Sequence, residues 1–264
     1  MKNNSCIIAS IVLKYIMSLC GVFCFYIHRA RAIYAEYGRT RLFMSIPKTT
    51  ELFDLSHTLA SELLSSCKYP YEALPKIKEY ILALQKELSP TEYDCIAEGV
   101  YVAKGVKIAP TATIEAPTII GKGTEIRPGA FIRGSALIGE GVVVGNSTEI
   151  KNAIIFDNVQ IPHYNYVGDS ILGYRSHMGA GAVASNFKLD HSNISIRDGA
   201  SVIDTGLRKF GVMLGDFAEV GCNSVLCPGS IIGRESLVYP LSRVRGIIPE
   251  RHIMSGTGEI VPRR

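Results

Sequence analysis

A mainly β chain wound as a parallel β-helix, preceded by a small helical segment, is the fold the sequence predicts. Three observations predict it. An aliphatic residue recurs every six positions, small or turn-forming residues sit at fixed places between these aliphatics, and a short amphipathic stretch stands ahead of the repeats. Period six belongs neither to an α-helix nor to a long alternating strand, and it is the signature of hexapeptide coils.

Cys6 to Ile27 is apolar apart from Lys14, long enough to span a bilayer. A central Lys costs about 2.5–3.5 kcal/mol on insertion, and each Ile, Leu, Val or Phe returns about 0.3–0.6 kcal/mol, so insertion is marginal. A cleaved signal peptide fits poorly, with only Lys2 in the leading region. Two readings of residues 1–43 stay open: a membrane anchor, or an over-extended start ahead of Met44. As an anchor, Arg29, Arg31, Arg39 and Arg41 place the following domain on the cytoplasmic side. Membrane contact is expected only if residues 6–27 are a true anchor.

Residues 44–98 read as a helical lobe with helices over 51–66 and 72–88. Leu74, Ile77, Ile81, Leu84 and Leu88 give the second its apolar stripe, Pro70 precedes it, and Ser89-Pro90 closes it. Its expected role is capping or packing. Residues 99–250 read as the β-helix and 251–264 as a tail.

Val102, Ile108, Ile114, Ile120, Ile126, Ile132, Ile138, Val144 and Ile150 are nine aliphatics spaced six apart. After a one-residue slip the series continues through Ile155, Ile161 and Val167, then Leu172, Met178 and Ala184, and resumes from Leu214 to Val244. Three such units make one triangular coil, with one side chain per strand pointing inward. Gly121, Gly139, Pro128-Gly129 and Asn146 mark the corners. An irregular excursion is expected from Asn186 to about Asn193.

The net charge of +4 is small and no basic stripe is interleaved with aromatics, which excludes a nucleic-acid partner. Seven cysteines, with no CxxC pair, point to buried small side chains in a reducing compartment rather than to disulfides or zinc.

The segments VGNSTEIKNAII (144–155), HYNYVGDS (163–170), GAGAVASN (179–186), KFGVMLGDFAEVG (209–221) and VRGIIP (244–249) carry a specific likeness. From Arg127 to Glu259 the chain resembles hexapeptide-repeat acyltransferases. The match is to the acetyltransferase domain of the bifunctional uridylyltransferase that makes UDP-N-acetylglucosamine. It is closer to the C-terminal domains of archaeal-type sugar-1-phosphate nucleotidylyltransferases. The resemblance implies a left-handed β-helix, a homotrimer with sites between subunits, and acetyl-CoA as co-substrate. The implied function is N-acetylation of an amino-sugar phosphate, glucosamine 1-phosphate above all. No metal is required for such a transfer.

By the same resemblance His163 is the catalytic base and Asn186 lies at the acetyl thioester. Arg133, Lys151 and Lys209 hold the sugar phosphate, and Tyr166 and His177 contact the sugar. Ala180, Phe187, Cys222 and Pro240 bind CoA. The residue types suit the chemistry. A neutral imidazole takes the amine's proton, an Asn amide or a backbone N–H serves the oxyanion, and Arg and Lys hold a phosphate. Glu149, beside Lys151 on one strand face, is placed to orient the amine or the imidazole.

The sequence departs from the family where His177 replaces an asparagine, Phe187 a tyrosine and Cys222 a serine. The stretch 187–208 is also longer. These changes put the acceptor in question before the reaction class. No glycine-rich nucleotide loop precedes the repeats, so nucleotidyl transfer is not expected. The competing readings are an acyltransferase for another amino sugar or a hydroxyl, and a non-catalytic β-helix serving oligomerisation or regulation. A metal-dependent carbonic anhydrase fits poorly, because it needs three converging histidines and only His163, His177 and His191 lie in the repeats.

Overall fold

The computed structural model describes residues 45–198 and 201–264; the apolar run 6–27 lies outside them. Among the described residues no helix is long and apolar enough to cross a membrane. The chain winds as a parallel β-helix. Short strands stack on three faces. Face 1 begins with Val100–Ala103, Thr118–Ile120 and Ala136–Ile138, face 2 with Lys107–Ile108 and Glu125–Ile126, and face 3 with Thr113–Ile114 and Phe131–Ile132. The six-residue series points inward. From Ile120 to Val244 each of its members is buried, while Ile108 and Ile114 of the first coil are partly covered.

The slip in the period has a structural cause. Early coils repeat every 18 residues, as in Val100 over Thr118 over Ala136. The next two repeat every 17, as in Ala136 over Ala153 over Ser170. There the strands Glu149–Ile155 and Tyr166–Leu172 run unbroken round the corner from face 3 to face 1. Asn152 and Asp169 make that corner, each at φ +47°, a left-handed conformation that short polar side chains tolerate.

The helical segment lies along face 1 rather than over the end of the prism. It is more broken than expected: the predicted 51–66 helix resolves into Thr49–Leu52, a 3-10 turn Leu55–His57, and Ser61–Ser65. Local side-chain bonds compete with the helix, because the Ser56 amide donates to Asp54 (3.1 Å) and the Ala60 amide to Thr58 (3.1 Å). The 72–88 helix begins as 3-10 over Pro70–Lys76, with Pro75 inside, and becomes α-helical only over Ile77–Leu84.

Face 1 carries a second aliphatic ladder on its outside. Ile119, Leu137, Ile154, Ile171, Met213 and Ile231 are no more than 2% exposed. Leu52, Phe53, Leu74, Ile77 and Ile81 of the lobe are buried in the same core, and Phe53 stacks on Phe156 at 5.1 Å. Each such side chain taken from water stabilises by about 1.5–3 kcal/mol. Polar contacts fix the register. The buried Asp216 carboxylate accepts from the backbone N–H groups of Asp54 (2.7 Å) and Tyr174 (2.8 Å) and pairs with Arg234 (3.1 Å). Burial nonetheless raises its pKa above the usual carboxylate value.

The excursion continues past Asn193 and occupies the whole long stretch 187–208. Ile171 pairs with Met213 and Val183 with Val225, a jump of 42 residues in place of 17 or 18. Its base is closed by a bridge between Phe187 and Lys209, and it contains the antiparallel pair Ser195–Asp198 and Ser201–Asp204. Ile194 and Ile196 are buried, which folds it back onto the coils. Strands also pass both expected limits of the β-helix. Tyr93–Ala97 forms a hairpin with Val100–Ala103, and His252–Met254 adds to face 2 before pairing with Ile260–Pro262.

Among the described cysteines only Cys67 is buried; Cys95 and Cys222 are exposed and Cys227 is intermediate. The expectation that each is a small core residue therefore fails for these three. Cys95 lies on the exposed first hairpin and Cys222 at a coil corner.

Candidate active site

Face 3 carries a row of polar side chains between two polar edges. Glu149 and Lys151 project from the strand Glu149–Ile155, and Tyr166 stacks over Glu149 in the next coil. Arg133 donates to Glu149 at 2.8 Å, which raises the guanidinium pKa. Lys151 is shifted the other way. Burial lowers its pKa, and the neighbouring Lys209 and Arg133 cations add to this against the pull of Asp169.

At the edge between faces 3 and 1, three side chains spaced 17 apart form a ladder: Asn152, Asp169 and Asn186. Asp169 is 6% exposed. It accepts from Asn152 Nδ2 at 2.9 Å and from Asn186 Nδ2 at 2.5 Å. Asn186 Nδ2 also donates to the Tyr166 hydroxyl at 3.2 Å. Burial, then the Asp169 charge, raises the Tyr166 phenol pKa. Gly168 makes this contact possible, since a Cβ there would stand 2.5 Å from the Tyr166 hydroxyl.

A cavity of about 530 Å³ opens beside this ladder. Asn152 and Asp169 form part of its lining. Leu74 and Pro75 come from the helical lobe, and Phe187, Leu207, Arg208 and Lys209 from the excursion. The cavity thus combines apolar walls, a buried carboxylate and two cations.

The opposite edge, between faces 2 and 3, carries a second ladder. His163 stacks on Asn146 in register, and the backbone bonds Gly181 N to His163 O, Asn223 N to Ala180 O and Leu241 N to Cys222 O continue the stack. His163, Ala180, Cys222 and Pro240 therefore follow one another up a single edge. Buried Asn165 anchors the turn carrying His163. It accepts from the His163 N–H (3.1 Å) and donates to Gly179 O (2.7 Å) and Ala182 O (3.1 Å). The His163 side chain is exposed.

The structure thus brings Arg133, Glu149, Lys151, Tyr166, Asn186 and Lys209 together on face 3 and the adjoining edge. His163 with Ala180, Cys222 and Pro240 lies along the other edge of the same face. Two sequence-predicted residues fall elsewhere. His177 lies on face 2 with Nδ1 2.9 Å from Glu219, and Phe187 lines the cavity with its ring against His191. Sequence reasoning missed Asn152, Asn165 and Asp169; the 17-residue spacing of 152, 169 and 186 was the available signal. Among the described residues no cluster of His, Cys, Asp and Glu has the form of a metal site.

Residues 119–206 match the model of the GMPPB C-terminal domain. The chain is 38% identical over 95 residues to the bifunctional protein GlmU of Methanococcus maripaludis, covering 36% of this chain and 23% of that one. Over the matched residues the chain is similar to hexapeptide-repeat domains of the GlmU C-terminal type. It is also 33% identical over 97 residues to a bifunctional sugar-1-phosphate nucleotidylyltransferase/acetyltransferase of Sulfurisphaera tokodaii, covering 37% of this chain and 24% of that one. The chain thus spans about a quarter of the length of these relatives. Among solved structures, the UDP-N-acetylglucosamine acyltransferase of Francisella novicida aligns with a TM-score of 0.40 and 16% identity, covering 63% of this chain and 67% of that one.

Proposed function

We propose that this hexapeptide-repeat domain transfers the acetyl group of acetyl-CoA to the amine of a sugar phosphate, glucosamine 1-phosphate or a close analogue. The observation that carries the reading is face 3 itself, with cations gathered at one edge and a solvent-facing imidazole at the other. The phosphate sits with Lys151 and Lys209, supported by Arg133, and Tyr166 contacts the sugar. His163 in its neutral form takes a proton from the attacking amine. The N–C bond forms, the C–S bond breaks, and the imidazolium returns its proton to the departing thiolate. Acetyl-CoA lies along the edge of Ala180, Cys222 and Pro240. Glu149 orients the reacting groups.

The assembly proposed is a homotrimer meeting along the His163 edge. Tyr164 and Leu241 project there at 65% and 77% exposure, large apolar side chains suited to burial by another copy. The proposed location is the cytoplasm, where acetyl-CoA and sugar phosphates are made.

The cavity walled by Leu74, Pro75 and Leu207, together with His177 turned toward Glu219, supports a second reading in which the acceptor is another amino sugar. A panel of amino-sugar phosphates and nucleotide-linked amino sugars, assayed by thiol release from acetyl-CoA, decides between them. The first reading requires glucosamine 1-phosphate or its epimers to give the highest kcat/KM. Preference for a nucleotide-linked sugar supports the second, and silence across the panel refutes both.

A further inference from the structure

We propose that Asp169 is a positioning residue that fixes the flip of the Asn186 amide, so that Asn186 presents its carbonyl oxygen, not its NH2, to an N–H or O–H of the acceptor. The inference rests on the acetyl-transfer reading and assigns Asn186 a hydrogen-bond polarity within it.

A carboxylate only accepts hydrogen bonds, so the Asn186 atom beside Asp169 must be the nitrogen. The same argument orients Asn152, whose Nδ2 lies between Asp169 Oδ1 (2.9 Å) and the backbone oxygen of Leu74 (3.3 Å), two pure acceptors. Both N–H groups of Asn186 are engaged, one by Asp169 and one by the Tyr166 hydroxyl. Its Oδ1 has no partner among the described residues, and neither does that of Asn152. Neither oxygen is sealed from solvent, since the buried orphan atoms are the hydroxyls of Ser176 and Ser242. One buried carboxylate thus turns two amide oxygens away from itself, and Asn152 is part of the cavity wall.

Asn186 then has no free N–H for the thioester oxyanion, and that donor is a backbone N–H. An amide oxygen beside the acceptor takes a hydrogen bond from the attacking amine or a sugar hydroxyl and aims it. The acceptor binds with its donor groups toward the Asn152–Asp169–Asn186 ladder and its anion toward Lys151 and Lys209.

The test is a polarity swap read in four proteins: wild type, Asp169→Asn, Asn186→Asp, and the double variant. In Asp169→Asn the new amide faces Asn186 with its NH2, so Asn186 flips and shows a donor to the acceptor. The double variant restores the outward oxygen. Residue 169 accepts from Asn152 and donates to residue 186, which again presents an oxygen. Each single variant is expected to lose roughly tenfold or more in kcat/KM, carried by both KM and kcat, because the mismatched hydrogen bond weakens the bound acceptor as well as its aim. The double variant is expected to recover to within about threefold of wild type, as coupled sites do. Because it rebuilds every bond of the ladder, recovery also separates positioning from a folding defect.

Titration calorimetry with glucosamine 1-phosphate gives the same ordering in Kd without turnover. A wild type that binds but releases no thiol defeats the acetyl-transfer reading alone, and the Kd ordering still decides the polarity. A double variant no better than the singles, unchanged behaviour of Asp169→Asn, or no binding by wild type overturns the proposal.

Discussion

A methyl group at position 168 would lie 2.5 Å from the Tyr166 hydroxyl and 2.7 Å from the Asn186 amide nitrogen, so the absence of a side chain there lets the two meet over the backbone. Both neighbours are side-chain ends and can move aside. Gly168→Ala is therefore expected to lower kcat/KM about a hundredfold, the scale of a 1 Å misplacement, while the melting temperature shifts by only a few degrees. Steady-state kinetics beside a thermal melt check this, and equal loss of both would place Gly168 in the fold rather than the site. Lys151 yields a pH prediction. Its pKa is held below the ordinary lysine value, chiefly by burial, so the ammonium is lost earlier as pH rises. In the proposed reaction the charged form binds the phosphate, so KM for the acceptor is expected to climb with pH in a window below 10.5. Lys151→Arg, which stays protonated, is expected to flatten that limb in a pH series of initial rates.

The helical segment shows at the element scale what pattern reading could and could not reach. The inward ladder was legible because period six is imposed by the coil. The outward ladder of face 1 was equally present, as the doublets Ile119-Ile120, Leu137-Ile138, Ile154-Ile155 and Ile171-Leu172. Such doublets mark a face covered on both sides, and they place the lobe along the prism. The breaks within the lobe depend on Asp54, Ser56 and Thr58 bonding to nearby backbone, a local competition that an apolar stripe does not report. Phe53 is 2% exposed and stacked on Phe156, so Phe53→Ala is expected to destabilise by about 3–5 kcal/mol in chemical denaturation. A loss below about 1 kcal/mol would mean the lobe does not hold face 1 closed. The excursion was legible as a break in the series and as the long stretch 187–208, but its fold-back was not. The buried Ile194 and Ile196 are read as core only once the fold-back is seen.

For the whole molecule, covering face 1 with the chain's own helices leaves faces 2 and 3 and the His163 edge for other copies. Light scattering is expected to give a mass three times that of the chain. A monomer with full activity would contradict a site built between copies. Of the candidate residues, those on face 3 and its edges were legible because the resemblance is dense there. His177 and Phe187 were placed by motif position alone, and the structure puts one on face 2 and the other in the cavity wall. The account stands most directly on thiol release from acetyl-CoA with glucosamine 1-phosphate, measured for the wild type and for His163→Ala. It predicts turnover by the wild type and a loss of about 10²–10⁴-fold in kcat for the variant at unchanged melting temperature. No turnover by the wild type, or a His163→Ala protein as fast as the wild type, would contradict it.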